Sequence, residues 1–545
     1  MILRRLFIAV CCLLLGANIA MAKINRPYEP IILKGDAFSQ FSNYEIKFLY
    51  VYAYNANLNT WKMIPFQIDE VNSNTADSLK YFVPEDSLAG LFDLDDELVF
   101  MLGDLGDKAD STEWLQGADS VRYEISFYDS LDNQTGYAYL YFSKSISEPI
   151  PNTYAMAYDE LNDRVLSANY EIGFNYTGQL ADVIIKSGTG TDIFDRLKIR
   201  AIGSWWILPV FLYEDYVKMI YAYAKVGPVR VIRNMYGQFE YELLNFNEKF
   251  TQTAFFYPWN GSFTLFEIPI NEAADYGASV DAVRVSWDFN ANATGMNFSS
   301  EANRNGIRID GVGTNDNVNT TCWPGELNWT MGTGNQGTML NVFHVPPLGD
   351  NIHLYYYEAT DGSTGDNSGL KIDSGDSLSF ADNGFSLEQN VEKYAKAEST
   401  FSVIYYNFFL PPNFNSDDAS LICQGLKTPI DYETRIQKLT LPAGVAQDNQ
   451  FAPTKFKLEQ NYPNPFNSST IISFSLPHQT EVSLHIYDIL GRLIYNLVDQ
   501  KLSQGYYKFI WEGINNKGTP VPSGMYFYNL KTSEFNSTKK LLFLK

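Results

Sequence analysis

The chain has 545 residues, and its 63 Asp and Glu against 40 Lys and Arg give a formal net charge of −23. A surface this acidic repels nucleic acids and anionic lipids, which excludes both as partners, whereas it suits calcium, neutral sugars or a basic protein. The length is more than one small domain needs, and the aromatic content of 15% favours β-structure.

The amino terminus has the order of residues found in a secretory signal peptide. Arg4 and Arg5 precede an apolar run at 6–15, and the small-residue sequence Ala20-Met21-Ala22 comes before Lys23. The run is about half of the ~20 apolar residues that cross a bilayer, so we predict a signal peptide at 1–22 rather than a membrane anchor. No later stretch is long and apolar enough for a transmembrane segment, and we expect export through the periplasm.

Alternating apolar and polar residues predict an all-β fold of several β-sandwich domains. The clearest strand patterns are YEIKFLYVYAY at 44–54, VRYEISFYDS at 121–130, GYAYLYFSKS at 136–145, PVRVIRNM at 228–235 and NIHLYYYEA at 351–359. The best helical pattern is at 386–399, with Ser386 as its cap. The segment SEPIPNT near residue 150 predicts an amino-terminal sandwich at 23–150 and a larger sandwich at 151–440, which ends at an aperiodic linker, 441–455.

The densest acidic cluster lies at 92–107. Calcium takes roughly six to eight oxygen ligands in proteins, and this cluster offers the carboxylates of Asp93, Asp95, Asp96, Asp104 and Asp107. The spacing is not that of an EF-hand, because the glycine at the sixth loop position and the final glutamate are absent. Two interpretations stay open, a calcium site and a solvated turn between strands.

The segment CWPGELNW at 322–329 combines aromatic residues with a carboxylate on a loop made by Pro and Gly. Such a loop can present Trp323, Glu326 and Trp329 together, and aromatic rings beside a carboxylate are typical of carbohydrate sites. We call residues 23–440 the body of the protein. We therefore predict that this loop contacts the ligand of the body, although most tryptophans in β-sandwiches are core residues.

Cys322 and Cys423 are the only cysteines after residue 22. In an oxidising compartment they can form a disulfide, which would stabilise the fold by about 4–5 kcal/mol in the loop-entropy model. The alternative is two buried thiols.

Catalytic motifs are scarce in the body. His344 and His353 are the only histidines between 23 and 455, and the sequence has no G-x-S-x-G, no H-E-x-x-H and no phosphate-binding glycine motif. We therefore favour a non-catalytic surface protein that is structural or binds a glycan or protein. The alternative is a secreted carbohydrate-active enzyme, either a glycosidase or a polysaccharide lyase, that uses body carboxylates.

Alternation is clearest at 456–545, where TIISFSL, EVSLHIYD, LIYNLVD, GYYKFIW, GMYFYNL and KKLLFLK read as strands separated by turn residues. About seven short strands in this length predict a small immunoglobulin-like sandwich. The segment carries nine basic and six acidic residues, in contrast to the acidic body, and we expect it to be a separate unit.

Four blocks of this segment occur in a characteristic order: LEQNYPNPFNSSTIISFSLP, VSLHIYDILGRLIYNL, WEGINNKGTPVPSGMYFYNL and the final KKLLFLK. Together they resemble the type A carboxy-terminal sorting domain of the type IX secretion system of Bacteroidetes and related bacteria. The resemblance implies recognition by secretion machinery at the outer membrane, delivery to the surface, and removal of the domain as cargo is anchored or released. It also implies that the residues that matter for export are Asn464, Pro465, Phe466, Lys539, Lys540 and Lys545.

Overall fold

The computed structural model describes residues 24–544 apart from 74, 76–78, 83–89, 206–207, 242–245, 269–277, 313–316, 345–351, 360–378, 389–400, 440–454 and 468. The predicted signal peptide and most of the predicted linker lie outside these residues. The described chain is mostly antiparallel strands, which confirms the all-β prediction. It divides into two compact units, one up to Lys438 and one from Leu439.

Among its described residues, the first unit begins with nine strands. They are β1 (Pro30–Lys34), β2 (Tyr44–Glu45), β3 (Leu49–Asn55), β4 (Thr60–Met63), β5 (Phe66–Asp69), β6 (Leu91–Phe92), β7 (Glu97–Met101), β8 (Val121–Asp129) and β9 (Gln134–Phe142). One sheet has the order β1-β7-β5, and a second contains β8-β9-β3-β4. Side chains of both sheets share one core, in which Phe100 of β7 meets Phe127 of β8 edge to face at 5.8 Å. This part is therefore a sandwich.

The larger part of the first unit adds eighteen strands to the described chain. They are β10 (Ala157–Asp159), β11 (Arg164–Leu166), β12 (Tyr170–Phe174), β13 (Leu180–Ile185), β14 (Phe194–Trp205), β15 (Leu208–Leu212), β16 (Val217–Val226), β17 (Val231–Tyr241), β18 (Phe246–Phe256), β19 (Asn260–Ile268), β20 (Ala278–Phe289), β21 (Asn297–Ser300), β22 (Ile307–Arg308), β23 (Leu327–Gly334), β24 (Gly337–His344), β25 (Ile352–Ala359), β26 (Ser379–Glu388) and β27 (Phe401–Leu410).

Two large sheets of this part pack face to face. One has nine strands in the order β16-β17-β18-β19-β27-β24-β23-β21-β22, and the other has five in the order β15-β14-β20-β26-β25. Trp287 of the five-stranded sheet stacks on Phe343 of the nine-stranded sheet at 5.6 Å and meets Tyr405 at 5.4 Å. Because side chains alternate along a strand, the five-stranded sheet buries one face here and turns its other face away from this core.

Helix α1 (Ser416–Lys427) was missed by the strand-dominated interpretation. Asn415 caps it in a capping box with Asp418, and Lys427 lies in its last turn, where a cation is favourable. The predicted helix at 386–399 is wrong where it can be compared, because Ser386 belongs to β26, and 389–399 lies outside the described residues. No helix within the described ranges is long and apolar enough to cross a bilayer.

Strand β28 (Asp431–Lys438) changes the predicted domain division. It pairs along its whole length with β8, from Asp431 opposite Tyr128 to Lys438 opposite Val121, and so completes the five-stranded sheet of the amino-terminal sandwich. The prediction placed 431–438 in the second sandwich, because sequence order gives no indication that the chain returns to a sheet it left about 300 residues earlier.

The described part of the second unit is a two-sheet structure of seven strands. They are β29 (Lys457–Leu458), β30 (Thr470–Leu476), β31 (Thr480–Asp488), β32 (Leu493–Leu502), β33 (Gly505–Trp511), β34 (Gly524–Lys531) and β35 (Asn536–Phe543). The sheets have the orders β29-β30-β33 and β32-β31-β34-β35 and enclose their own core. The immunoglobulin-like assignment stays a prediction.

Candidate functional site

The loop at 322–329 does not present its two tryptophans on one surface. Trp323 is 40% exposed, whereas Trp329 is 2% exposed and packs among Met331 and Leu340. The Trp329 indole nitrogen donates to Glu301 at 2.9 Å. Trp329 and Met331 are two positions apart on β23, and so both point to the same, inner face. Trp329 therefore cannot belong to a surface site. Of the predicted pair, only Trp323 can meet a ligand.

Glu326 occupies an exposed turn of the same loop and is already paired. Its carboxylate lies 2.9 Å from Lys427 Nζ, and this hydrogen-bonded cation lowers the pKa of Glu326. Asn328 fixes the turn by accepting from the Trp323 amide at 2.9 Å and donating to the Trp323 carbonyl at 2.9 Å. A general acid needs a raised pKa, and so the arrangement does not suit Glu326 to proton donation.

In the structure the two cysteines are buried thiols, the second of the two alternatives. Cys322 and Cys423 are free and buried, and they belong to different core clusters. The Cys423 thiol lies 3.7 Å from the Leu327 carbonyl. Burial raises the pKa of Cys322 to about 12 and that of Cys423 to about 11, which makes both thiols unreactive. The structure thus has two separate buried thiols at these positions.

Three of the five clustered aspartates shape one turn. Asp96 accepts from the amides of Val71 at 3.2 Å and Asp93 at 3.0 Å, and Asp95 accepts from the Ser73 amide at 3.1 Å. Burial raises the pKa of Asp96 to about 6. These carboxylates bind backbone amides of their own turn and the adjoining loop.

Asp104 and Asp107 point to other partners. Asp104 accepts from the Tyr154 hydroxyl at 2.7 Å, and burial raises its pKa to about 6, while Asp107 accepts from the Ala56 amide at 3.0 Å. In the ranges that the structure describes, no three His, Cys, Asp or Glu side chains are grouped to hold a metal ion. The five aspartates are thus not brought together as a calcium site, because their backbone attachments spread them over separate turns.

The two ends of the predicted sorting signal lie against each other in the second unit. Asn464 accepts from the Leu542 amide at 2.8 Å and donates to the Lys540 carbonyl at 3.3 Å. The Phe466 amide donates to the Leu542 carbonyl at 3.0 Å, and the Phe466 carbonyl accepts from the Leu544 amide at 2.8 Å. The opening motif therefore holds the last strand in place.

The Phe466 ring has a structural role in the same unit. It is buried, stacks on Phe543 at 4.8 Å and packs against Trp511 at 5.6 Å. Pro465 and Lys540 are exposed and Lys539 is half-buried, while Lys545 lies outside the described residues. Among the sorting residues, Phe466 is thus occupied internally and Lys540 is available at the surface.

A row of three tyrosines, which the sequence analysis did not single out, lies at the edge of the nine-stranded sheet, with Tyr221 exposed and the other two half-buried. We call Tyr221, Tyr223 and Tyr236 the tyrosine row. Tyr221 is 52% exposed, and its ring plane lies within 24° of that of Tyr236 and within 27° of that of Tyr223, with centroids 5.2 and 6.0 Å away. The alternation YAY in β16 was the available sequence signal, but the third member, Tyr236, comes from β17.

A buried charged face is the second feature that was missed. Lys198 of β14 reaches two carboxylates, Asp288 at 2.7 Å and Asp382 at 3.2 Å, on the face of the five-stranded sheet turned away from the core. All three are fully buried. Ionised groups removed from water are costly unless they are paired, and sharing one ammonium partly neutralises the two acids.

Further charges extend this face. Arg200 lies 3.4 Å from Glu214, and the Arg284 guanidinium sits 3.8 Å from the Tyr355 ring centroid. Their backbone positions follow from pairing, because Arg200 is directly opposite Arg284 in the β14–β20 ladder. The sequence shows charged residues spaced between core residues within single strands. It does not show that the charged residues of different strands lie side by side on one face of the sheet.

Comparison with known protein families decides the identity of the second unit. Residues 460–544 match the family described as the secretion system C-terminal sorting domain. This unit is a type IX sorting domain. The match confirms the resemblance noted in the sequence, and it implies export through the periplasm to the cell surface or beyond it and an interaction with the type IX secretion machinery.

Solved structures give weaker similarities for the whole chain. An alpha-mannosidase from Enterococcus faecalis V583 matches at 9% identity and TM-score 0.35, and a glycosyl hydrolase family 38 protein from E. faecalis at 8% and 0.37. These matches cover 89% and 90% of this chain but only 53% and 57% of those chains. Dimeric latent PorU from Porphyromonas gingivalis matches at 12% and 0.15, covering 86% of this chain and 36% of PorU.

At such TM-scores, these similarities carry no conclusion about fold or activity. No curated protein matches the chain.

Proposed function

We propose that the body of this exported protein is a non-catalytic binding module for a neutral glycan, with the tyrosine row as its contact surface. The observation that carries the proposal is the exposure of Tyr221 beside two rings of similar orientation. Aromatic rings combine a large apolar face with a polar hydroxyl, which suits the apolar C–H faces and hydroxyls of a sugar.

The charges around the row support a neutral ligand. Lys218 pairs with Glu240, and Lys225 lies 3.4 Å from Asp69. These basic side chains are neutralised by acids of the protein, so that an anionic polysaccharide finds little uncompensated charge there. The net charge of −23 disfavours anionic ligands further.

Polar side chains adjoin the tyrosines through strand pairing. Asn234 is directly opposite Tyr223, and Thr253 follows on β18, opposite Asn234. Asn234 is fully buried and the Thr253 hydroxyl is shielded from solvent, so neither reaches a ligand, and the groups that can orient a sugar are the hydroxyls of the tyrosines themselves.

Retention of the full chain in gels containing neutral polysaccharides, such as β-glucan, mannan and xylan, tests the proposal. We expect retention on at least one of them, and Tyr221→Ala should weaken it about ten-fold, which corresponds to ~1.4 kcal/mol. Tyr432→Ala is the matched control, because Tyr432 is a similarly exposed tyrosine on β28. Equal retention of both variants, or retention only on alginate or polygalacturonate, contradicts the proposal.

Trp323 gives a second arm of the same experiment. It remains exposed on its loop, and if that loop carries the contact, Trp323→Ala rather than Tyr221→Ala will weaken retention. A structural or protein-binding role, the other form of a non-catalytic body, is indicated if no polysaccharide retains the chain.

The alternative of a carbohydrate-active enzyme has one observation in its favour, the buried pair Asp288 and Asp382. The geometry supports it less, because both acids are fully buried and pair with Lys198, which leaves neither carboxylate exposed to a substrate. Release of reducing ends or unsaturated products by the full chain, abolished by Asp382→Asn, would replace the binding proposal with an enzyme.

A further inference from the structure

The sorting domain has an apolar patch on the outer face of its four-stranded sheet. Inner and outer positions alternate along β31, where Ile486 points to the core, and so Tyr487 points outward. Tyr487 is directly opposite Phe527 on one side and Leu493 on the other. Tyr487 and Phe527 are half-buried and are not members of the core.

The next row extends the patch to the end of the sheet. Met525 of β34 is opposite Leu542 of β35, and the hairpin between β31 and β32 contributes two further aliphatic side chains. The strongly exposed members are 46–73% exposed, and they are Ile489, Leu490, Leu493 and Met525. Aliphatic residues exposed singly are ordinary, but these four are grouped at one end of the sheet, because Asp488 before the hairpin pairs with Tyr526 next to Met525, and such a group marks an interaction surface.

The hairpin that carries part of the patch is held in a fixed shape. Asp488 accepts from the amides of Leu490 and Arg492, both at 2.9 Å, and from the Arg492 guanidinium at 2.6 Å. Gly491 completes the turn at a φ of 76°, where a side chain would be strained. The exposed leucine and isoleucine are therefore presented on an ordered loop, which lowers the entropy cost of binding.

A basic residue of the sorting signal lies in the same row. Lys540 is exposed and directly opposite Phe527. Phe466 and Asn464, by contrast, are engaged with the last strand and have an internal role. Lys540 is thus the described sorting residue that this face offers to a partner.

We propose that this outer face, formed by Leu493, Tyr487, Phe527 and Met525 with Lys540 at its side, is the surface by which the sorting domain docks on the type IX secretion machinery. The partner surface is expected to be apolar with acidic groups opposite Lys540. A second copy of the chain fits less well, since two such faces docked on each other would bring basic residues together in an apolar contact.

The test uses the full chain in its native host. The double variant Leu493→Asp, Met525→Asp should reduce the surface-exposed fraction at least about ten-fold and leave folded protein in the periplasm. The matched control is Leu58→Asp, Leu161→Asp, which places the same charges at exposed leucines of the body and should be displayed normally. Lys540→Glu should give a smaller reduction. Display of the double variant at the wild-type level contradicts the proposal.

A second measurement avoids dependence on the folding of the variant. A photo-crosslinking amino acid at position 525, in an otherwise unchanged chain, should yield an adduct with a component of the secretion machinery, identified by mass spectrometry. The same probe at position 161 should not. Adducts only between copies of the chain would assign the face to self-association and overturn the proposal.

Discussion

At the scale of single residues, Arg230 joins two parts of the body through buried charge. It donates from Nε to Asp69 at 2.7 Å and from Nη2 to Glu97 at 2.7 Å, and the two acids belong to β5 and β7 of the amino-terminal sandwich. Its own backbone amide donates to Gln67 at 2.9 Å. Arg230 precedes β17 of the nine-stranded sheet, and so this cluster ties the sandwich to that sheet.

We predict that Arg230→Ala lowers the free energy of unfolding of the body by about 3–5 kcal/mol, because Asp69 and Glu97 would remain buried without their main counter-charge. Denaturant unfolding of the full chain measures the change. Arg304→Ala is the control, since Arg304 also binds two acids but is exposed, and such pairs contribute about 1 kcal/mol or less. Similar losses in the two variants would contradict this account of the buried cluster.

At the scale of elements, β35 depends on a segment about 75 residues before it. The opening motif of the sorting domain supplies two backbone hydrogen bonds through Phe466 and two side-chain bonds through Asn464 to this strand. The motif lies outside the regular ladders of either sheet, and yet it closes the edge that β35 would otherwise leave open. The two ends of the predicted sorting signal are therefore joined directly in the fold.

Phe466→Ala should detach this edge, since removal of a buried phenylalanine costs about 3–5 kcal/mol. We expect faster hydrogen exchange at the Leu542 and Leu544 amides and earlier proteolysis of the carboxy terminus, with an unchanged body. Tyr462→Ala, at an exposed ring of the same segment, should alter neither measurement, because surface substitutions usually stay within about 0.5 kcal/mol. Unchanged exchange in Phe466→Ala would show that β35 is held by its pairing with β34 alone.

At the scale of the whole molecule, the last strand of the body comes directly before the point where the chain passes into the second unit. Strand β28 forms the edge of the amino-terminal sandwich and ends at Lys438, where the first compact unit ends. Charged Asp431, Glu433 and Arg435 lie on one face of β28 and Tyr432 and Ile436 on the other, and charges along an edge strand discourage pairing with other chains. The strand that precedes the second unit is therefore also part of a sheet of the body.

Two truncations test this organisation in the native host. A chain that ends at Lys438 should fold, accumulate in the periplasm and unfold at the denaturant midpoint of the intact body. A chain that ends at Pro429 also lacks β28, and we expect lower stability and aggregation, since the edge of β8 is uncovered. Surface display of the first chain, or equal stability of the two, would contradict the prediction.

Local patterns determined much of this protein without its tertiary structure. Alternation predicted the strands at 121–130 and 470–476, because adjacent side chains of a half-exposed strand point to opposite faces, one apolar and one polar. The sorting domain was likewise evident, since its turns, strands and opening motif are contiguous blocks. These features depend on neighbours in sequence, and the sequence contains them fully.

Tertiary structure decided the features that depend on residues distant in the chain. Trp329 and Glu326 lie three positions apart, but strand direction buries one and a helix about 100 residues later pairs the other. The tyrosine row exists only because β16 and β17 align Tyr221 with Tyr236, and the charged face only because three strands bring Lys198, Asp288 and Asp382 together. Register and sheet order set these contacts, and neither is a property of any local stretch of sequence.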